Sequence, residues 1–518
     1  MARWNDGYIT EMVYTNNFYR ETTPIWMAAA SLLLGHRPPD LHKPFRYADL
    51  GCGNGFTALT VAATCPHAEV WACDFNPAHI ESARHLAERA GLTNIHFQEA
   101  SFAEIAALPA DALAPFDFIA SHGLLTWISA ENRQHLLSIF GQRLRAGGLA
   151  YLSYNVETGW SGMRPLHSLM RMLARGSTEP PDQTILAVFT QLERMKDAGA
   201  LFFQSNPGVE ARLKELRQHD PRYVAHEFLN ETWQPAMFAD VARAMDDVKC
   251  TFIGSATLTE NIESVSVPAG MAPMMAETRD PILRETLRDF GVGRSFRRDL
   301  YRRGNPPLAM AEHHAMLNDL TLEWTGSQPG DSFSVQTPIG VLTGRPELYR
   351  PLQAMLEAGP VSIQHARSLE PFASRPLVEL LQAVSLMMTA GHAHPRLPQA
   401  VLDAGRASTM RLNRAIAESA GLGGTISRLV IPSTGSAIDL DMLEVLTVGA
   451  LLDGGAKTAG PVAKDVLRQL NQSSRSVQRD GKPVANQAEA LEIVSGVVKD
   501  LLQRRAPLWR RWGVLPPK

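Results

Sequence analysis

The chain has 518 residues and a formal net charge of −3, with 20% of its residues charged and 45% hydrophobic. This length exceeds what a single compact core supports, so we expect two or three domains. The near-balanced charge gives no reason to expect nucleic acid or an anionic membrane surface as a partner.

The N-terminus and the cysteines indicate the compartment. The N-terminus reaches the acidic Asp6 early and has no apolar h-region, which predicts that no signal peptide is present. No uninterrupted apolar run reaches the roughly 18 residues of a membrane-spanning helix, so we expect no membrane insertion. The cysteines include no Cys-x-x-Cys pair, which favours reduced thiols and a cytoplasmic protein. They are Cys52, Cys65, Cys73 and Cys250.

Strands and helices alternate between residues 46 and 155. Short apolar strands separated by helices predict a parallel sheet covered on both faces. Gly147 and Gly148 are predicted to form a tight turn into the last strand. The predicted strands span residues 46–50, 70–74, 94–98, 116–120 and 149–155, and helices are predicted to begin near Gly55, Pro77, Phe102 and Ser129.

Amphipathic helices follow residue 160 and are interpreted as an insertion or lid. A helix at 235–247 and a strand at 249–253 are then predicted to complete the sheet, so that this domain closes near residue 259. Residues 261–322 are predicted to be mostly helical. A Gly/Ser/Pro turn at 326–330 predicts a hairpin between two short strands on either side of it.

The remainder of the chain is predicted to be mainly helical. Its last segment is basic and aromatic, with Arg504, Arg505, Trp509 and Trp512 close together. Such a segment could touch an anionic surface or nucleic acid. The pattern favours instead a helix end that docks through its tryptophans, so no nucleic-acid partner is expected.

A glycine run after the first strand is the strongest chemical signal. It reads Asp49-Leu50-Gly51-Cys52-Gly53-Asn54-Gly55 and opens a helix whose N-terminus carries partial positive charge. A dinucleotide site uses the spacing Gly-x-Gly-x-x-Gly to hold a pyrophosphate. Phe56 stands where the last of those glycines would fall, and Asp49 would be a poor neighbour for phosphate. An acid there suits the ammonium group of S-adenosylmethionine (SAM), which favours SAM over a dinucleotide.

Two later strand ends extend this site. Asp74 ends the second strand, where a carboxylate can accept hydrogen bonds from ribose hydroxyls. Ser101 and Phe102 follow the third strand, where they could bond the edge and cover the face of an adenine. The candidate cofactor-binding residues are Asp49, Gly51, Cys52, Gly53, Gly55, Asp74, Phe75, Ser101, Phe102 and His122.

Three further segments, 121–127, 154–160 and 223–229, carry a family resemblance. They are similar to the His-Gly-x-Tyr-Ser-Trp, Tyr-Asn-x-x-Pro-Gly-Trp and His-Glu-Tyr-Leu patterns of class I SAM-dependent methyltransferases with a methyltransferase regulatory domain. The bacterial outer-membrane-protein lysine methyltransferases are the best-known members. The retained residues are His122, Gly123, Trp127, Tyr154, Asn155, Gly159, Trp160, His226, Glu227 and Leu229; Leu125, Thr126, Thr158 and Phe228 depart from the patterns.

The resemblance implies a Rossmann-like class I methyltransferase sheet with a helical insertion, followed by a mainly helical C-terminal region. The implied division is a SAM-binding domain over 1–260 with the insertion at about 160–225, a helical connecting or regulatory region over 261–325, and a C-terminal domain over 326–518. The implied reaction is SAM-dependent N-methylation of protein lysines. A small-molecule methyltransferase and a non-catalytic SAM-binding scaffold remain as alternatives, and the oligomeric state stays open.

The candidate catalytic residues follow from the same segments. His122, Tyr154 and Trp160 lie after strands whose carboxyl ends hold ligands in such sheets, as does Trp127. Tyr14, with Tyr19, is expected to fold over the cofactor. His226 and Glu227 do not form a His-Glu-x-x-His helix and are interpreted as a structural pair at a helix end. No metal is predicted, because the remaining histidine pairs lack companion ligands.

Overall fold

A computed structural model describes residues 17–304, 307–326, 333–454, 458–479 and 482–517. Its first part contains one seven-stranded sheet with the order β3-β2-β1-β4-β5-β7-β6. Strands β1 to β5 are parallel, and β7 is antiparallel to both of its neighbours. The strands are β1 (Arg46–Leu50), β2 (Glu69–Asp74), β3 (Ile95–Glu99), β4 (Phe116–Ser121), β5 (Leu144–Asn155), β6 (Cys250–Ser255) and β7 (Phe296–Arg303).

Helices cover both faces of this sheet, which confirms the predicted α/β class. Pro77 stands at the first position of α3, after Asn76 has capped it, and Ser129 caps α5 as predicted. The helices are α1 (Pro24–Leu33), α2 (Phe56–Thr64), α3 (Pro77–Arg89), α4 (Phe102–Ala107), α5 (Ala130–Arg143), α6 (Glu157–Trp160), α7 (Met163–Ala174), α8 (Pro181–Asp197), α9 (Leu201–Ser205), α10 (Pro207–Leu216), α11 (Pro221–Phe228), α12 (Phe238–Asp247), α13 (Glu263–Ser266), α14 (Ala272–Glu277) and α15 (Pro281–Val292).

Two features of the sheet differ from the sequence prediction. Gly147 and Gly148 lie inside β5, at an irregularity of its pairing with β4, and not in a turn before it. Strand β7 lies between β5 and β6, in a segment that the sequence assigned to helices. We therefore propose that the SAM-binding domain extends to about residue 304, since a boundary at 260 would remove a central strand.

The helical insertion has a small core of its own. Helices α7, α8, α10 and α11 bury a cluster that includes Met170, Phe189 and Phe228. Trp127, from the loop after β4, joins the same cluster. The insertion is therefore anchored directly beside the carboxyl ends of the parallel strands.

The C-terminal part is mainly helical, as predicted, with short strands between the helices. The predicted hairpin around residues 326–330 is wrong. Strand β8 pairs with β11 and β12, and β9 pairs with β10. The elements are α16 (Met310–Asp319), β8 (Thr321–Trp324), β9 (Ser334–Thr337), β10 (Gly340–Thr343), α17 (Pro346–Ala358), β11 (Val361–Ser362), α18 (Ile363–Arg367), α19 (Leu377–Thr389), β12 (Ala393–Pro395), α20 (Gln399–Gly421), β13 (Arg428–Ile431), β14 (Ser436–Asp439), α21 (Met442–Leu452), α22 (Ala459–Gln472), β15 (Gln478–Arg479), β16 (Lys482–Pro483), α23 (Gln487–Arg504) and α24 (Ala506–Arg511).

Helix α20 packs closely against α2, the helix that follows the glycine run. The Ser408 hydroxyl donates to the carbonyl of Ala63 at 2.6 Å. A Cβ on Gly405 would lie 2.2 Å from the carbonyl oxygen of Thr64, so only glycine fits at that crossing. Buried apolar residues of the two parts form one continuous core.

The basic and aromatic tail docks as predicted. Trp509 and Trp512 are fully buried, and the indole N–H of Trp512 donates to the carbonyl of Trp324 at 2.8 Å. Within the described ranges, no helix combines the length and the apolar character that crossing a bilayer requires.

Candidate cofactor and acceptor site

A cavity of about 470 Å³ opens at the carboxyl ends of the five parallel strands, β1 to β5. Its floor is made by the turns that follow these strands, and its other walls come from three distant parts of the chain. These parts are the segment before α1, helix α11 and strand β7. Its size lies within the range of small-molecule sites.

The glycine run forms a turn between β1 and α2, as the sequence predicted. Gly51 and Gly55 have φ values of +71° and +69°, in the left-handed region that favours glycine. A Cβ on Gly51 would lie 2.1 Å from Cδ1 of Leu124, whereas a Cβ on Gly53 would meet no atom within 4 Å. The N–H groups of Gly51 and Cys52 both donate to the carbonyl of Cys73 at 2.8 Å. The turn is thus fixed below the cavity, and α2 begins directly after Gly55.

Asp49 lies at the end of β1 and lines the cavity. Its side chain is almost completely buried, and burial together with the nearby Asp74 raises the pKa of the Asp49 carboxyl to about 7. A cationic ligand would favour the ionised form. This position therefore suits an ammonium group.

Asp74 also lines the cavity, and much of its carboxylate is already engaged. It accepts hydrogen bonds from the backbone N–H groups of Gly53 and Asn76, both at 2.9 Å, and it contacts Nδ1 of His79 at 3.2 Å. These contacts tie the glycine turn to the end of β2. A carboxylate has about four lone-pair sites, so Asp74 can still accept a hydrogen bond from a ligand. Its predicted contact with a ribose hydroxyl stays a prediction.

Ser101 is an N-cap in this structure. Its hydroxyl donates to the Glu104 carboxylate at 2.8 Å and accepts from the Glu104 N–H at 3.3 Å, which forms a capping box at the start of α4. The cavity is lined by Phe75, Ser101 and Phe102. It is also lined by Gly51, Cys52 and Gly53, whereas Gly55 does not line it. The adenine contacts proposed for this end of the cavity stay predictions.

His122 follows β4 and lies between aromatic rings. It stacks on Tyr19 with ring centroids 3.5 Å apart, and its Nδ1 lies 2.8 Å from the Tyr151 hydroxyl. Burial, with a contribution from Arg298, holds the pKa of His122 well below its usual range. His122 is therefore neutral at physiological pH and forms an uncharged part of the wall.

The structure brings Trp160 to the cavity and not Tyr154. Trp160 donates its indole N–H to the carbonyl of Ser295 at 2.7 Å and lines the cavity. Tyr154 is fully buried on the other side of β5, where its hydroxyl donates to Asp299 at 2.7 Å. Successive strand residues point to opposite faces, so its neighbour Asn155 reaches the cavity instead. Tyr14 lies outside the described residues.

Two groups of residues that line the cavity were not predicted from the sequence as site residues. One is a face of α11 and the turn after it, made by Tyr223, His226, Glu227 and Asn230 at spacings of three and four residues. His226 and Glu227 had been interpreted as structural, although four polar residues at helical spacing were a usable signal. The other group is Phe296 and Arg298 of β7, which could be placed only once that strand was known.

Comparison with known proteins agrees with this geometry. Residues 48–148 match the family model described as a methyltransferase domain, and residues 220–303 match one described as a predicted methyltransferase regulatory domain. An uncharacterised protein of Synechocystis sp. is 33% identical over 511 residues, which is 99% of each chain. A trans-aconitate 2-methyltransferase of Methylobacterium radiotolerans is 33% identical over 202 residues, which is 39% of this chain and 67% of that protein.

Among solved structures, PKMT2 from Rickettsia typhi in complex with AdoHcy has the same fold. The TM-score is 0.69 at 17% identity, over 95% of this chain and 99% of that one. The methyltransferase match covers β1 to β5, and the regulatory match runs from α11 to β7. The cavity therefore lies between the two matched regions. SAM is the cofactor of this enzyme. The chain belongs to the SAM-dependent class I methyltransferases that carry a methyltransferase regulatory domain.

Proposed function

We propose that this enzyme methylates lysine side chains of proteins, using the cavity above the glycine turn. The observation that carries the proposal is a group of aromatic and acidic residues that line the cavity together with that turn. The aromatic residues Trp127, Trp160 and Tyr223 lie there with the carboxylate of Glu227. Aromatic faces and a carboxylate suit a cationic amine and its methylated product. The sequence resemblance to lysine methyltransferases supports the same acceptor.

The reaction would be an in-line displacement. The neutral lysine nitrogen attacks the SAM methyl carbon, the carbon–sulfur bond breaks, and its electron pair stays on sulfur. AdoHcy leaves as a neutral thioether, and the methylated ammonium later releases a proton to solvent. The cavity would hold the amine in line with the methyl group and exclude competing water.

Glu227 would act on the charge that develops during transfer. The attacking nitrogen is neutral at first and becomes positive as the new bond forms. Glu227 is half-buried on α11. Burial raises the pKa of Tyr19 and of Tyr223, and the nearby charge of Glu227 raises both further. A fixed carboxylate there would stabilise the transition state more than the neutral amine.

Glu227→Gln is therefore expected to lower kcat by about one to two orders of magnitude while leaving SAM affinity unchanged, because a contact to a charged group contributes about 1.5–3 kcal/mol. Turnover of labelled SAM and calorimetry with SAM measure the two effects. The matched control is Glu231→Gln, at a nearby exposed carboxylate. Equal losses in both variants would contradict the role of Glu227.

The acceptor is tested by incubating the enzyme with radiolabelled SAM and a cell lysate. We expect label in methyllysine after hydrolysis of the protein fraction, and none with Asp49→Asn enzyme. Label confined to the small-molecule fraction would refute the lysine proposal. It would favour a small-molecule acceptor, which the partial match to trans-aconitate 2-methyltransferase supports. An absence of transfer to either fraction would favour a non-catalytic scaffold.

A cytoplasmic location is part of the same proposal. Cys52, Cys65, Cys73 and Cys250 are all free thiols, and the last three are buried. Unpaired cysteines of this kind are typical of a reducing compartment.

A further inference from the structure

Strand β7 supplies the cavity with a positive charge. Phe296 and Arg298 are two residues apart on this strand and both line the cavity. The guanidinium carbon of Arg298 lies 5.1 Å from the centroid of the Phe296 ring, which is itself 5.7 Å from the ring of His122. Arg298 thus stands on the wall beside the loop that follows β4.

Arg298 differs from the adjacent arginine on the strand. Arg297 points to the opposite face and pairs with Asp299, Asp289 and Glu285 at 2.7–3.0 Å. Within the described residues, Arg298 has neither a carboxylate within 4 Å nor a hydrogen-bond acceptor, and its Nε is buried without a partner. Burial acts to lower the pKa of Arg298, but Tyr151, Glu21, Glu260 and Tyr19 together raise it above its usual value. A buried guanidinium N–H without an acceptor is unfavourable unless a ligand supplies one.

We propose that Arg298 binds a carboxylate within this cavity. A guanidinium pairs with a carboxylate through two parallel hydrogen bonds, which neither Phe296 nor His122 can replace. Two ligands of this enzyme class can supply that group. One is the α-carboxylate of the SAM methionyl end, and the other is a small carboxylic acid acting as acceptor.

The position of Asp49 favours the cofactor as the source. The α-amino and α-carboxylate groups of SAM are bonded to the same carbon, so a site that neutralises both needs opposite charges on two neighbouring walls. Asp49 provides the negative wall, and Arg298 provides the positive one. The loop that begins at His122 joins them, because Leu124 lies against Gly51 while His122 approaches Phe296. The regulatory region would then hold one end of the cofactor.

The test compares two ligands that differ in the methionyl end. AdoHcy carries the amino-acid group, and 5′-methylthioadenosine lacks it. We expect Arg298→Gln to lower AdoHcy affinity about tenfold in calorimetry, with 5′-methylthioadenosine affinity changed less than twofold. Arg298→Lys should recover part of the AdoHcy affinity. Unchanged binding of 5′-methylthioadenosine also shows that the variant is folded.

A second titration addresses the acceptor source, using citrate as the carboxylate probe with protein saturated by AdoHcy. If AdoHcy affinity is unchanged, and citrate binds the wild type but not Arg298→Gln, the carboxylate site is confirmed on the acceptor side. Equal losses for AdoHcy and 5′-methylthioadenosine would overturn the proposal, because they would reveal a general structural role. Unchanged binding of all three ligands would overturn it as well.

Discussion

SAM affinity is expected to rise with pH up to about 7 and to fall again above about pH 8. The carboxyl of Asp49 has its pKa raised to about 7, so below that pH it is protonated and offers the ammonium no charge. An ordinary α-amino group has a pKa of about 7.7–8.0. We expect the α-amino group of SAM to lose its proton, and with it its positive charge, in the same range. Affinity should therefore change about tenfold per pH unit on the acid side. Calorimetry between pH 5.5 and 8.5 measures this profile.

Asp49→Asn separates this ion pair from other effects. At pH 7.5 we expect SAM affinity to fall by one to two orders of magnitude, as expected for loss of about 1.5–3 kcal/mol from a charge-assisted hydrogen bond. The acid limb of the pH profile should disappear. An acid limb that persists in the variant would show that another group controls binding.

The same substitution has an opposite effect on the stability of the protein without cofactor. The pKa of Asp49 is higher in the folded protein than in the unfolded chain. The protonated carboxyl therefore contributes to the free energy of unfolding, and this contribution is fully present below about pH 4. It is lost as pH rises through about 7. Asp49→Asn should therefore raise Tm at pH 8 while weakening SAM binding. A thermal melt of both proteins checks this and shows that the variant is folded.

Gly51→Ala is expected to abolish measurable SAM binding and to lower stability by about 1–3 kcal/mol, the usual range for overpacking. The added Cβ would lie 2.1 Å from Cδ1 of Leu124, and the positive φ of Gly51 disfavours alanine in any case. Either the loop after β4 or the glycine turn must move. Both line the cavity. Calorimetry and denaturant unfolding measure the two losses.

Gly53→Ala is the matched control for this substitution. It introduces the same backbone strain, with φ of +54°, but its Cβ would meet no atom within 4 Å. Its loss of stability should therefore be the smaller of the two. Leu124→Ala combined with Gly51→Ala removes the clashing side chain and should restore part of the stability. A double variant no better than Gly51→Ala would refute the contact as the cause.

The sequence was informative where one short segment determines the structure. The spacing from Asp49 to Gly55 predicted the strand end, a glycine turn and the start of α2, because a glycine turn and a helix start are local properties. Strand β5 was predicted as a short apolar run, and its residues 149–155 are all buried. Tyr154 was nevertheless assigned to the wrong face, since its family pattern was considered without its position in the strand.

Strand β7 was missed for a different reason. It reads Phe-Arg-Arg-Asp-Leu-Tyr-Arg-Arg, which resembles an exposed segment more than the interior of a sheet. Its charges are tolerated there because Arg297 pairs with Asp299 and with two carboxylates of α15, a partner that only the folded chain brings near. The site residue Arg298 depended on the same strand. Long-range pairing of buried charges is not encoded in any local pattern.

The close crossing of α20 over α2 has a thermodynamic consequence. Because Gly405 leaves no space at Thr64, any movement of α20 away from α2 must also loosen the helix that begins at the glycine turn. Coupling free energies are reciprocal, so cofactor occupancy and the closed position of α20 stabilise each other equally. A saturated cofactor site would thus protect the C-terminal half from local opening. The concentration of SAM would then set how often that half exposes its core to proteolysis.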